Sequence, residues 1–239
     1  MKQASPSHSR PGIQQRFHKG VSAVFLALAL AACGGGDTES TLEVDSNGST
    51  RIDTDNLAIA IAALPAESLS AAESASLTFM REEEKLAYDV YTVLDAQWSA
   101  STRTFGNIAN SEATHTEAVR QLLERYALPD PALNQPAGSF TDSTLQATYT
   151  QLITAGALNL EAALQVGAEV EELDIRDIQA ALLTIDNQDI AMVYDNLLKG
   201  SRNHLRAFDK ALAAKGWRYT PQYITQAEYD AIVNSATER

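Results

Sequence analysis

The feature that most constrains this chain is a set of four helical segments whose inward faces are apolar at both ends and polar or glycine-containing in the middle. The first two inward faces, written as heptad seams, read Leu77, Met80, Glu84, Ala87, Tyr91, Leu94 and Phe105, Ile108, Glu112, His115, Val119, Leu122. The other two read Leu164, Gly167, Glu171, Asp174, Ile178, Ala181 and Ile190, Val193, Leu197, Gly200, His204, Ala207. Apolar residues with this spacing are typical of amphipathic helices that bury one face.

Local signals place these seams on four core helices. The sequence predicts them over about 70–97, 104–126, 160–183 and 189–214, with short extra helices near 143–155 and after Thr225. Ser70 and Glu73 have the spacing of a capping box at the start of the first helix. Because no alternating run is long enough to indicate a sheet, the predicted fold is all-α, an up-and-down four-helix bundle over residues 66–239.

In an up-and-down bundle, the polar middles of the four seams meet at one level. Six side chains would converge there: Glu84, Glu112, His115, Glu171, Asp174 and His204. Burying unpaired carboxylates is unfavourable, and neighbouring carboxylates also repel one another. Two divalent ions would balance the four carboxylates, with the two histidines as neutral nitrogen ligands. The three-residue spacing of Glu112 and His115 puts both on one helix face, as in dimetal sites of four-helix bundles.

Three alternatives remain open for this layer. Glu83 rivals Glu84 as a ligand because it lies on a neighbouring apolar stripe, and Glu84 is preferred for its register with Tyr91. Tyr91 is either an ordinary core residue or a catalytic partner of the metals. In the metal-free alternative, Arg202 and Arg206 form ion pairs with acids of the third helix, namely Glu171, Glu172, Asp174 or Asp177.

Several motifs resemble known families. Glu84 followed by Tyr91, together with Glu112-Ala113-Thr114-His115, resembles the ferritin and rubrerythrin superfamily. Four segments are similar to the bacterial family called domain of unknown function 2202, over about residues 66–233: Glu82–Ala87, Ser111–His115, Glu171–Ile175 and Gly200–Phe208. The resemblance implies a ferritin-like fold with an iron site, and it implies no particular reaction. The cofactor expected from it is two iron ions, with manganese as the alternative.

The fourth helix departs from the superfamily pattern, because the position three before His204 is Ser201 and not a glutamate. We expect Asp174 to supply the missing carboxylate. Since Asp is one methylene shorter than Glu, Asp174 is either a ligand or a hydrogen-bond partner that orients His204. The site is then lopsided or holds a single metal.

The N-terminal segment has the pattern of a secretory signal. Residues 1–19 carry four basic residues and no acid, and the apolar run Val21–Ala32 is shorter than the roughly 20 residues that a membrane-spanning helix needs. Leu30-Ala31-Ala32-Cys33 resembles a bacterial lipobox. The resemblance implies removal of residues 1–32, a lipid on Cys33 as the membrane anchor and, with Gly34 next, sorting to the outer membrane facing the periplasm. Residues 33–65 are predicted to be a flexible membrane tether, because residues 34–56 are rich in Gly, Ser, Thr and Asp. Within it, the apolar segment Leu57–Leu64 is predicted to form one or two helical turns that end at Pro65.

The charge of the remaining chain limits its partners. Without residues 1–32 it has 14 Lys and Arg against 31 Asp and Glu, which makes nucleic acid a poor partner. Together, the polar layer and the resemblances to the ferritin superfamily and to bacterial lipoproteins lead us to expect an envelope lipoprotein with a dimetal site. That site would react with oxygen or peroxide or oxidise iron, as a di-iron oxidoreductase. The alternative is a non-enzymatic structural or interaction lipoprotein with a buried polar layer and no metal. The oligomeric state is left open.

Overall fold

The computed structural model describes residues 41–45 and 49–239. In this part of the chain, a two-stranded antiparallel hairpin is followed by helices, which confirms the predicted all-α class. The elements are β1 Leu42–Val44, β2 Thr50–Ile52, α1 Thr54–Ala63, α2 Ala71–Trp98, α3 Thr104–Arg125, α4 Ser143–Gly156, α5 Leu160–Leu182, α6 Gln188–Ala213 and α7 Gln226–Val233. Among the described residues, none of the helices combines the length and the apolar character that crossing a membrane requires. The predicted signal peptide and Cys33 lie outside the described residues.

The helices begin where local capping groups satisfy their first N–H groups. At the start of α2, Ser70 Oγ accepts from the backbone N–H of Glu73 at 3.1 Å, and Glu73 Oε2 accepts from the N–H of Ser70 at 2.8 Å. Asn159 Oδ1 caps α5 by accepting from Ala162 N at 2.9 Å. A cap of this kind stabilises a helix by about 1 kcal/mol, so the helix limits are encoded locally.

The four long helices surround one core. α2 packs on α3 and α5 packs on α6, and further contacts join α2 to α5 and α3 to α6. Each of the first two pairs is connected by only a few residues, so its helices run antiparallel. All the predicted seam positions are buried, except Ala181 and Ala207, which are half-buried. This packing brings the polar middle of each helix into the interior.

The segment predicted to be a flexible tether is folded where the structure describes it. β2 packs on α3 and α6, and α1 packs on α3. Ile52, Leu57 and Ile61 are buried, and Gln121 Nε2 donates to the carbonyl oxygen of Thr54 at 3.0 Å. The tether prediction is therefore corrected for residues 41–45 and 49–65, because these apolar side chains are buried against the bundle. The helical turns predicted over Leu57–Leu64 are present, since α1 spans Thr54–Ala63. Residues 33–40 lie outside the described residues.

The C-terminal segment is held on the bundle by two acids. Glu172 accepts hydrogen bonds from the hydroxyl of Tyr219 at 2.5 Å and from the backbone N–H of Tyr223 at 2.7 Å. Glu238 accepts from Arg202 Nε at 2.8 Å and from Arg206 Nη2 at 2.6 Å. The chain after α6 thus covers the outer faces of α5 and α6.

Candidate metal centre

Five of the predicted ligands meet at one level of the interior. Glu84 lies on α2, Glu112 and His115 on α3, Glu171 on α5 and His204 on α6, and each is buried. The rings of His115 and His204 stack, with centroids 5.3 Å apart and planes inclined by 18°. Side chains far apart in the chain therefore share one small volume.

The carboxylate of Glu112 lies between the two imidazoles. Its Oε2 is 2.9 Å from Nδ1 of His115, and its Oε1 is 2.8 Å from Nδ1 of His204. Glu84 Oε2 is 3.6 Å from Nδ1 of His115, and Glu171 Oε2 is 3.6 Å from Nδ1 of His204. Each imidazole therefore faces one carboxylate of its own and one that both share.

Most of these polar atoms have no hydrogen-bond partner among the described residues. The unpartnered buried atoms here are both oxygens of Glu84, both of Glu112, Glu171 Oε2, Asp174 Oδ2 and Nδ1 of His115 and His204. Buried polar atoms are normally satisfied, so a cluster of unsatisfied ones requires an explanation. Ligand atoms of Glu112, His115 and His204 lie within 4.8 Å of one another, a donor set that suits a divalent metal.

The ionisable groups shift the pKa values of one another strongly. Burial raises the pKa of Glu84 to about 7. Burial acts in the same direction on Glu112, but the positive charges of His115 and His204 outweigh it and lower the pKa of Glu112. Burial opposes the charged form of His204, whereas the charges of Glu171 and Glu112 raise its pKa to about 9. Opposed shifts among neighbouring groups are concentrated at functional sites.

Tyr91 contacts the site as well as the core. Its hydroxyl lies 2.5 Å from Oε1 of Glu171 and 3.1 Å from the carbonyl oxygen of Gly167. Its ring packs against those of Phe105 and Phe208, with centroid distances of 6.4 and 5.4 Å. Tyr91 is thus a core aromatic residue whose hydroxyl contacts the candidate ligand Glu171. Its position is compatible both with a packing role and with a role next to the metals.

Two further acids of the predicted layer, Glu83 and Asp174, have raised pKa values. Glu83 faces Asp177, and burial together with the charge of Asp177 raises the pKa of Glu83 well above its usual value. The pKa of Asp174 is raised by burial and then by the charge of Glu83. Within the described residues, the ring nitrogens of His204 lie near Thr50, Glu112 and Glu171. Asp174 is a buried acid of the same layer, with one oxygen that has no hydrogen-bond partner among the described residues.

The cations of the metal-free alternative lie elsewhere. Arg202 and Arg206 bind Glu238, and Arg176 binds Asp177. In residues 41–45 and 49–239, no lysine or arginine forms an ion pair with the candidate ligands Glu84, Glu112, Glu171 or Asp174. Arg202 and Arg206 therefore do not pair with the acids of the third helix as this alternative requires.

Sequence reasoning missed Thr50 on β2. Its carbonyl oxygen is 3.0 Å from Nε2 of His115, and its backbone N–H donates to Nε2 of His204 at 3.3 Å. A sequence signal did exist. The alternating segments Leu42-Glu43-Val44 and Thr50-Arg51-Ile52 flank Asn47-Gly48, a dipeptide typical of hairpin turns.

Gly200 makes room for His115. A Cβ atom at this position of α6 would lie 2.5 Å from Cε1 and 2.8 Å from Nε2 of the His115 ring. Real Cβ atoms do not approach other atoms so closely, so any larger residue would displace the imidazole. The glycine in the middle of the fourth seam was the sequence signal of this close approach.

Comparison with known proteins gives three findings. The family described as "Uncharacterized protein domain (DUF2202)" matches residues 73–236. The uncharacterised protein MJ0754 of Methanocaldococcus jannaschii is 47% identical over 179 residues, which cover 75% of this chain and 96% of that protein. The crystal structure of the hypothetical protein MJ0754 from Methanococcus jannaschii matches with a TM-score of 0.71 and 47% identity, over 73% of this chain and 99% of that chain. The candidate ligands lie inside the matched residues 73–236, and Thr50 lies outside them.

Proposed function

The chain belongs to the DUF2202 domain family, and from that premise we propose that it is a ferritin-like four-helix bundle that holds a two-metal carboxylate and histidine site. The observation that carries the proposal is the set of buried, unpartnered oxygen and nitrogen atoms around Glu112. Neither a hydrogen bond nor a lysine or arginine satisfies them in the described part of the chain. Divalent cations would satisfy them all at once.

The geometry divides the ligands into two sets that share one carboxylate. Glu84, Glu112 and His115 would hold one ion, and Glu112, Glu171 and His204 the other. Asp174 lies nearby with one unpartnered oxygen, and it adds negative charge. Iron is the proposed metal, with manganese as the alternative, because both accept carboxylate and imidazole ligands.

The proposed activity is a reaction with oxygen or peroxide, or the oxidation of iron itself. Bound iron would supply the electron-transfer chemistry, and the protein would fix the ligands and limit access of water. Tyr91 donates its hydroxyl hydrogen to Oε1 of Glu171, which leaves Oε2 directed toward His204. The rings of Phe105 and Phe208 pack beside Tyr91 and make this side of the centre apolar.

We also propose, from the N-terminal sequence alone, that the protein is an envelope lipoprotein. Residues 1–32 would be removed and Cys33 lipidated, so that the domain is anchored to the outer membrane and faces the periplasm. Mass spectrometry of the membrane fraction tests this proposal, since a diacylglyceryl-modified N-terminal cysteine is the expected species. An unprocessed N-terminus would contradict it.

Metal analysis tests the proposed site. Residues 34–239, reconstituted anaerobically with ferrous iron and passed over a desalting column, should retain about two irons per chain. Circular dichroism of the same sample should show a helical, folded protein. A folded protein that retains neither iron nor manganese would favour the alternative, a structural or interaction module with a metal-free polar layer.

A further inference from the structure

The hairpin turns one peptide toward both histidines. Asp45 N donates to Ser49 O at 3.0 Å, and Asp53 N donates to Thr41 O at 2.9 Å. Hydrogen-bonded and non-hydrogen-bonded pairs alternate in an antiparallel ladder, so the pair of Val44 and Thr50 is of the second kind. The N–H and C=O groups of Thr50 therefore point away from β1. They reach the imidazoles of His204 and His115.

The two contacts have opposite polarity. A carbonyl oxygen only accepts, so Nε2 of His115 carries its hydrogen and Nδ1 presents a lone pair toward Glu84 and Glu112. A backbone N–H only donates, so Nε2 of His204 is the acceptor and the neutral ring carries its hydrogen on Nδ1. That hydrogen lies on the side of Glu112 Oε1, 2.8 Å from Nδ1. With neutral rings, Nδ1 of His115 thus presents a lone pair to a metal, whereas Nδ1 of His204 carries a hydrogen.

The Thr50 peptide is fixed and cannot readily turn over. Thr50 is buried, and its Oγ1 accepts from Asn203 Nδ2 at 2.8 Å. On one side of it, Ser49 Oγ is 2.6 Å from Ser111 Oγ, and on the other Ile52 N donates to Thr114 Oγ1 at 2.9 Å. Side chains of α3 and α6 therefore hold the strand in the orientation that distinguishes the histidines.

Two further observations indicate weaker metal binding by the ligand set around His204. Ser201, where the superfamily has a glutamate, turns its hydroxyl to the carbonyl oxygen of Leu197 at 3.1 Å. Glu171 has one oxygen engaged by Tyr91, whereas both oxygens of Glu84 are unpartnered. The ligand set around His204 therefore offers fewer free donor atoms than the set around His115.

We propose that Thr50 is a positioning residue that makes the two metal positions unequal. The ion at Glu84, Glu112 and His115 binds first and tightly. The ion at Glu112, Glu171 and His204 binds weakly, because it must replace the Nδ1 hydrogen of a ring whose Nε2 faces a backbone donor. The inference rests on the proposed two-metal site, and it assigns a role to the hairpin outside the family match.

Titration with Co²⁺, followed by its visible absorption, tests the inequality in residues 34–239. Groups that orient a metal ligand typically change its metal affinity by about 10- to 100-fold. Because the Thr50 peptide orients His204 unfavourably for metal, the wild-type protein should bind the second cobalt at least about tenfold more weakly than the first. Thr50→Pro removes the N–H and keeps the carbonyl oxygen, and an edge strand accepts proline where its N–H points away from the ladder. In this variant the second cobalt should tighten to within about threefold of the first.

Thr50→Val is the matched control, because it keeps the peptide N–H and C=O groups and removes the hydroxyl that accepts from Asn203. It should keep the wild-type difference between the two cobalt affinities. A general loss of structure in Thr50→Pro would lower the affinity for both cobalt ions, whereas the inference requires a higher affinity for the second one. Equal affinities in the wild type, or a Thr50→Pro variant whose two affinities fall together or keep their difference, would overturn the inference.

A second pair of variants tests the inference without proline. His204→Ala should keep the first cobalt within about threefold of wild type, and His115→Ala should weaken it at least about tenfold. Equal losses, or losses in the reverse order, overturn the inference while leaving the two-metal site standing. Failure of the folded wild-type protein to bind any cobalt overturns the two-metal proposal and this inference together.

Discussion

The two helix pairs contribute unequally to one buried layer. The pair α2 and α3 brings Glu84, Glu112 and His115 together, with no hydrogen-bond partner for the four carboxylate oxygens among the described residues. The pair α5 and α6 brings Glu171 and His204, but Tyr91 binds one oxygen of Glu171, and Ser201, three residues before His204, has its hydroxyl bonded to Leu197 O. Both pairs are equally buried. Burial alone therefore does not create a ligand, because a donor atom must also be free of other partners.

The largest effect should come from the one residue that both halves share. Glu112→Ala removes the carboxylate between His115 and His204, and we expect loss of both irons because each proposed ligand set includes it. Elemental analysis after ferrous reconstitution checks this, with circular dichroism to show that helix content is kept. Glu117→Ala, which alters an acid on the outer side of α3, is the control and should keep both irons. Retention of two irons by Glu112→Ala would place the ligands elsewhere.

The second largest effect should come from a substitution at Gly200, where α6 approaches His115 of α3 closely. In Gly200→Ala the new methyl group would overlap the His115 ring, and overpacking of this kind destabilises a protein by about 1–3 kcal/mol. Urea denaturation measures the change in the free energy of unfolding. Ser201→Ala, the neighbouring substitution, removes only a hydroxyl bonded to its own helix and should cost less. If Gly200→Ala were as stable as wild type, the interhelix contact would be looser than described.

Tyr91 offers a smaller test on the α5 side. Tyr91→Phe keeps the ring in the core but removes the hydroxyl next to Glu171, with an expected loss of about 1–2 kcal/mol in the free energy of unfolding. Tyr194→Phe is matched, because Tyr194 is also buried and its hydroxyl lies 3.0 Å from the hydroxyl of Ser76 rather than next to a carboxylate. The Tyr91 substitution should be the more destabilising of the two in thermal denaturation. The reverse order would contradict the assigned contact with Glu171.

The smallest effect should be a pH dependence confined to the outer face of α6. Burial opposes ionisation of Glu238, but Arg202 and Arg206 lower its pKa below 4.5. A lowered pKa means that the unfolded chain takes up a proton first as the pH falls, so this contribution is full at neutral pH and is lost on acidification. Wild type should therefore lose more stability than Glu238→Gln between about pH 5 and pH 3. If the free energy of unfolding of the two proteins changed in parallel with pH, the ion pairs of Glu238 with Arg202 and Arg206 would contribute no stability.

Much of the helical framework was predictable because its signals are local. The predicted limits 160–183 correspond to α5 at Leu160–Leu182, where Asn159 provides the cap. The predicted 70–97 corresponds to α2 at Ala71–Trp98, which begins at the capping box of Ser70. The three-residue spacing of Glu112 and His115 likewise placed both on one face, and the structure brings both to the same centre.

Features that depend on distant partners could not be predicted. Arg202 and Arg206 had several acids within plausible reach, and only the packing of the C-terminal segment pairs them with Glu238. The composition of residues 34–56 indicated a tether, although Ile52 and Thr50 are buried against the bundle. Average composition gives no information about whether a few apolar residues find a surface to cover.

The side chains that each helix turns inward follow from its own sequence, because the helical period acts over a few residues. By contrast, only the tertiary structure shows that the peptide of Thr50 contacts both His115 and His204, which lie 65 and 154 residues away in the chain. Contacts at that separation depend on how whole elements pack, and no local pattern encodes the direction of a particular N–H or C=O group. The layer of acids and imidazoles could thus be predicted from helical periodicity, whereas the difference between its two histidines depends on how the hairpin packs on the helices.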